Sequence, residues 1–102
     1  TVRVVPMPAN VYEIVRAGLR KTISDEQGTA RLLDMPGFKI SGKTGTAQST
    51  PGKDHHAWFV GFNEEGKRRI VFCVFLEYGG SSYNAVVLAR ELLERLREQD
   101  IL

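Results

Sequence analysis

The seven residues from Ile70 to Leu76 (Ile-Val-Phe-Cys-Val-Phe-Leu) are all apolar and read as a β-strand. Because the run shows no polar alternation, it predicts a central strand covered on both faces. Ala57-Trp58-Phe59-Val60-Gly61-Phe62 has the same strand character, and Asn63-Glu64-Glu65-Gly66-Lys67 between the two runs has turn composition. Together they predict a hairpin. Phe38 to Ile40 begins a third extended segment, which can continue to Gln48.

Two helical patterns flank these strands. From Asn10 to Ile23 the residues Val11, Ile14, Val15, Leu19 and Ile23 share one face, with Arg16, Arg20 and Lys21 turned outward. From about Asn84 to Glu98, Ala85, Leu88, Ala89, Leu92, Leu93 and Leu96 trace another apolar face, while Glu91 and Arg95 can pair on the opposite side. Asp25-Glu26-Gln27-Gly28 ends the first helix and Met35-Pro36-Gly37 is a second break, so the stretch between them is expected to be a loop with little regular structure. The order predicts an α+β unit of three antiparallel strands with N- and C-terminal helices. Two helices are available for one sheet face, and nothing in the 102 residues covers the other. The unit is therefore expected to belong to a larger domain.

A chain of this length holds one modest core. Its 14 basic and 12 acidic residues give a net charge of +2, and only Lys67-Arg68-Arg69 clusters, so no nucleic-acid partner is implied. The longest apolar run falls far short of the roughly 20 residues of a membrane span. Thr1-Val2-Arg3 does not begin a signal peptide, so any anchor is expected upstream. Cys73, the single cysteine, lies within the apolar run and is expected to be a small buried hydrophobe. Adjacent His55 and His56 on an extended segment point apart, no ligand spacing completes a metal site, and no cofactor is implied. Both are expected in a loop.

The stretch from Ile40 to Gln48 carries the chemistry, and two patterns compete for it. Gly37 to Thr44 fits G-x-x-x-x-G-K-[ST], the phosphate-cradling loop of nucleotide hydrolases. That loop needs a buried strand before it and a helix after it, and neither is predicted here. Lys43-Thr44-Gly45 is also the K-T-G element of penicillin-binding proteins and serine β-lactamases, which sits on an extended edge strand. Phe38 to Gln48 can supply that strand.

Most of the chain then resembles class B penicillin-binding proteins. The resemblance runs through Val15-Arg16-Ala17-Gly18-Leu19, Gly28-Thr29-Ala30, Ser41 to Gln48, His56 to Phe62 and Glu77-Tyr78-Gly79-Gly80, roughly Val11 to Leu96 in all. It implies the fold of the penicillin-binding and serine β-lactamase class, with residues 1–102 as the C-terminal portion of one transpeptidase domain. The family's Ser-x-x-Lys nucleophile element is not found, since no serine here has lysine three residues on. Ser82-Tyr83-Asn84 spells the family's Ser-x-Asn but follows Lys43 at the start of the last helix, where a helix cap is the expected role.

The resemblance also implies roles. Lys43 would line the site and organise the serine hydroxyls, and Thr44 and Thr46 would bind the terminal carboxylate of a donor peptide or β-lactam. Gly45 would let the acyl group pass close, the Thr46 backbone N–H would donate to the oxyanion, and Gln48 would extend the same side. Strand alternation agrees, because residues 44 and 46 point to one side. Trp58 and Phe59 are expected in packing. The implied parent is a peptidoglycan D,D-transpeptidase at the extracytoplasmic face of the inner membrane. Its implied partners are stem peptides, β-lactam antibiotics, the remainder of its domain and a cell-wall synthesis complex. A penicillin-sensing receptor of the same fold is the alternative, and the fragment alone is expected to be inactive.

Overall fold

The computed structural model describes residues 2–102. In chain order the elements are α1 (Ala9–Ser24), a single 3₁₀ turn (Arg31–Leu33), β1 (Ile40–Ala47), β2 (His56–Asn63), β3 (Ile70–Leu76) and α2 (Ser82–Glu98). The sheet order is β1-β2-β3, antiparallel throughout. This is the α+β arrangement expected, with the hairpin formed by β2 and β3.

The register assigns each side chain to a face. Ile40, Gly42, Thr44 and Thr46 of β1 stand opposite Asn63, Gly61, Phe59 and Ala57 of β2, which in turn stand opposite Ile70, Phe72, Val74 and Leu76 of β3. Alternation puts all of these on one face. That face is the core, where Phe59, Ala57 and Ile40 are fully buried against Ala85, Val86, Ala89 and Leu93 of α2. Ile23, Ala30 and Leu33 close the core at the β1 end. Each fully buried aliphatic or aromatic side chain contributes about 1.5–3 kcal/mol by leaving water.

Phe59 is seated on two glycines. Gly42 and Gly61 face each other across the ladder. A Cβ on Gly42 would lie 2.4 Å from the Val60 carbonyl and 2.6 Å from Phe59 Cζ, and one on Gly61 would lie 2.7 Å from Phe59 Cε1. The pair makes a flat slot for the ring, which also sits 5.8 Å from the Phe72 ring. Glycine inside a strand commonly marks such a close approach.

Several expectations are corrected. Among the described residues β3 pairs only with β2, at the edge of this three-stranded sheet, where a central strand was expected. Its second face is bare: Val71 is 80% exposed and Phe75 45%, with Cys73 exposed beside them. An apolar run reports two apolar faces, but not the strand's place in the sheet. α2 covers most of the Phe59 face, with Ile23 of α1 at its β1 end. α1 lies against β1, where Arg16, Ala17 and Arg20 line a cavity with Ser41 and Glu64, and Tyr12, Val15 and Leu19 line another with Phe62. Ser41 and Phe62 belong to the face opposite Phe59.

The outward assignment of Arg16 and Arg20 also fails. Arg16 pairs with Glu64, whose hydrogen bond and then charge raise the guanidinium pKa, and Arg20 donates to the Ile40 carbonyl. Val11, Ile14 and Val15 are exposed instead, because helical periodicity marks an apolar stripe without saying what covers it. On α2 the buried stripe includes Val86, while Leu88 and Leu92 are exposed. The stretch expected as irregular holds the 3₁₀ turn and buries Leu33 and Met35. It is fastened by Arg90 donating to the Leu32 carbonyl at 3.1 Å and by Arg97 donating to the Pro36 carbonyl at 2.7 Å. Arg97 also lies over the Phe38 ring.

The cap of α2 is Ser81, whose Oγ accepts from the Tyr83 N–H at 3.2 Å, rather than Ser82. Replacing Ser81 by alanine is expected to lower stability by about 0.5–2 kcal/mol through loss of that acceptor. Denaturant unfolding measures it, and a midpoint equal to wild type would remove the cap from the account.

Candidate active site

Gly42-Lys43-Thr44 lies in the middle of β1 and not at a strand-to-helix turn. The second half of the phosphate-loop pattern is therefore extended strand, with no helix following it. The reason for Gly42 is steric, since Phe59 occupies the space a side chain would need.

Strand β1 changes character along its length. Ile40, Ser41 and Gly42 are buried, whereas Lys43 and Thr46 are exposed and Thr44, Gly45 and Ala47 are half-buried. Only β2 pairs with it among the described residues, so its other edge offers backbone groups to a further extended chain. The buried half anchors the strand and the open half presents Lys43-Thr44-Gly45-Thr46.

Around that open half the two faces carry different groups. Thr44 and Thr46 share the Phe59 face, as alternation required. Thr44 Oγ1 lies 3.0 Å from Thr29 Oγ1, in the segment that follows α1. Lys43 projects on the opposite face, where its Nζ donates to the Thr44 carbonyl at 3.1 Å and is otherwise exposed. A cavity of about 400 Å³ runs along this side, lined by Lys21, Asp25, Gln27, Thr29 and Lys43 among others. Two lysines and one aspartate leave the cavity cationic, which favours an anionic ligand group.

Gly45 stands opposite Trp58. A Cβ there would meet only Trp58 Cβ, at the ordinary distance of 3.5 Å. Unlike Gly42, this glycine is not demanded by packing within the described residues. Gln48 lies just past the end of β1, exposed, so it does not continue the strand's alternation.

Beyond Gly45 the bare face carries an aromatic group that sequence reading did not assemble. Trp58 and Phe75 rings are 4.3 Å apart, His56 is 5.4 Å from Phe75 and 5.0 Å from Tyr78, and Lys53 lies over Tyr78. His56 is the first residue of β2 and not a loop residue, and its Nδ1 accepts from the Tyr78 N–H at 2.9 Å. Alternating His56, Trp58 and Phe75 were the available signal, but only the cross-strand register joins them. Phe59 is core as expected, while Trp58 is partly exposed on this face.

The comparisons with known proteins agree with this geometry. The sequence model of the family described as "Penicillin binding protein transpeptidase domain" matches residues 2–96. The chain is 34% identical over 77 residues to penicillin-binding protein 3 of Bacillus subtilis, covering 68% of this chain and 12% of that protein. It is 28% identical over 99 residues to the peptidoglycan D,D-transpeptidase MrdA of Haemophilus influenzae, covering 81% of this chain and 15% of that protein. A solved structure, the D,D-transpeptidase domain of a peptidoglycan glycosyltransferase from Eggerthella lenta, superposes with a TM-score of 0.62 at 30% identity, over 86% of this chain and 20% of that one. The chain thus spans a minor part of the length of the proteins it matches. With the Lys-Thr-Gly-Thr strand at an open sheet edge and the family pattern extending from residue 2 to 96, the chain belongs to the penicillin-binding protein transpeptidase domain family, in its class B branch.

Proposed function

We propose that this chain is the C-terminal portion, residues 1–102, of a single transpeptidase domain in a peptidoglycan D,D-transpeptidase. The observation that carries this reading is the open half of β1, where Lys43, Thr44 and Thr46 flank a glycine that packing does not require. The remainder of the domain supplies the serine nucleophile and covers the bare face around Val60, Val71 and Phe75. The donor is a D-alanyl-D-alanine stem peptide. The serine attacks its penultimate carbonyl, the terminal D-alanine leaves, and an amine of a neighbouring stem peptide then takes the acyl group. β-Lactams acylate the same serine. Lys43 organises the serine hydroxyls and their protons, Thr44 and Thr46 bind the donor carboxylate, and the Thr46 backbone N–H donates to the oxyanion. Gln48 lies next along the substrate's path.

The protein works at the extracytoplasmic face of the inner membrane, held by an anchor outside residues 1–102 and associated with a cell-wall synthesis complex. A receptor that is acylated to signal draws no support from the relatives, which are named for penicillin binding and transpeptidation. Replacing Thr46 by valine in the full-length protein keeps the shape and removes the hydroxyl. The rate of acylation by benzylpenicillin is expected to fall about tenfold, the effect of one hydrogen bond to a charged group. Unchanged acylation kinetics would remove Thr46 from carboxylate binding.

A further inference from the structure

Thr29 lies outside the Lys-Thr-Gly-Thr block, yet among the described residues it makes the one hydrogen bond to the Thr44 side chain, at 3.0 Å between hydroxyl oxygens. The geometry points to Thr29 as a positioning residue that fixes the direction of the Thr44 hydroxyl for carboxylate recognition. This inference rests on the transpeptidase reading of β1.

A carboxylate only accepts hydrogen bonds, so a threonine that binds one must give it its single hydroxyl proton. The Thr44 oxygen is then free to accept, and the hydroxyl in reach is that of Thr29. The resulting chain runs from Thr29 O–H to Thr44 Oγ1, and from Thr44 O–H to the carboxylate. Each donor in such a chain polarises the next, which strengthens the terminal bond. Without Thr29 the Thr44 hydroxyl has no partner to hold it in that sense and can turn away from the ligand.

Thr29 is itself held firmly. On one side Gly28 N–H donates to the Asp25 carbonyl at 2.9 Å, and on the other Ala30 N–H donates to the Thr22 carbonyl at 3.1 Å. Ala30 is fully buried, and a Cβ on Gly28 would lie 2.2 Å from the Thr22 carbonyl oxygen, so only glycine allows this approach to the end of α1. The segment is thus held to Asp25, the residue that caps α1, and to Thr22 within it, on either side of a side chain that is itself exposed. Thr29 also lines the cationic cavity with Lys21 and Lys43.

The test uses the full-length protein and compares wild type with Thr29→Val, Thr29→Ser and Thr44→Val, in acylation rate by benzylpenicillin and by its carboxylate ester. Thr29→Val is expected to slow acylation by the free acid about tenfold. Thr29→Ser, which keeps the hydroxyl, restores most of that rate. With the ester, Thr29→Val and wild type react alike, and on a Thr44→Val background Thr29→Val has no further effect. A merely structural role would slow acid and ester equally, and that outcome overturns the inference, as does a Thr29→Val rate equal to wild type. A wild-type protein that forms no adduct overturns the transpeptidase reading as well, whereas acylated wild type with undiminished Thr29→Val overturns this inference alone.

Discussion

Replacing Lys43 by alanine in the full-length protein is expected to slow acylation by benzylpenicillin by about 100-fold or more, the effect of losing a group that organises proton transfer. Folding should be left almost untouched. Lys43 is exposed, among the described residues it donates only to the carbonyl of its own neighbour Thr44, and surface substitutions of this kind change stability by no more than about 0.5 kcal/mol. The separation of the two effects is what distinguishes a chemical role from a solvated lysine on a strand. Time courses of intact mass, with thermal unfolding beside them, measure both. An acylation rate within about threefold of wild type would place Lys43 outside the chemistry.

Replacing Phe59 by alanine is expected to have the opposite profile, with a loss of stability of about 3–5 kcal/mol and inactivity only through unfolding. Phe59 is fully buried between α2 and the slot made by Gly42 and Gly61. Those glycines leave no side chain that could move into the vacated space, so the cavity stays open and the loss falls at the upper end. Phe59→Leu, which refills most of the volume, should cost less than about 1.5 kcal/mol. Denaturant unfolding of the two variants checks the ranking, and a Phe59→Ala loss below about 1 kcal/mol would mean that the core is not centred on this ring.

The contrast among three glycines of adjacent strands explains much of what could and could not be foreseen. In sequence, Gly42, Gly45 and Gly61 look alike. In the fold, Gly42 and Gly61 are required by Phe59 while Gly45 has room for a side chain. Distinguishing them needed the strand register, which depends on contacts between residues about twenty apart in the chain. The same cause hid the ladder of His56, Trp58, Phe75 and Tyr78, and the hydrogen bond from Thr29 to Thr44.

What was legible came from local pattern. Seven apolar residues from Ile70 announced β3, the helical stripes announced α1 and α2, and the turn composition after Phe62 announced the hairpin. The cover of the sheet was legible only in part: both helices were expected on one face, whereas α2 packs on the Phe59 face and α1 against Ser41 and Phe62 of the other, leaving Val60, Val71 and Phe75 exposed. Position was not legible. Strand periodicity does not say whether β3 is central or at the edge, and helical periodicity did not say that Arg16 and Arg20 would turn toward Glu64 and Ile40. Cys73 was misplaced for the same reason, since its burial depends on which neighbour covers the strand.

If β1 is the substrate-binding edge of a penicillin-reactive transpeptidase, the nucleophile it serves lies outside residues 1–102. The most direct measurement is the intact mass of the full-length protein after incubation with benzylpenicillin, with the 102-residue chain treated in parallel. One covalent penicilloyl group is expected on the full-length protein and none on the shorter chain. Absence of an adduct on the full-length protein, or an adduct on the shorter chain, would contradict this role of β1.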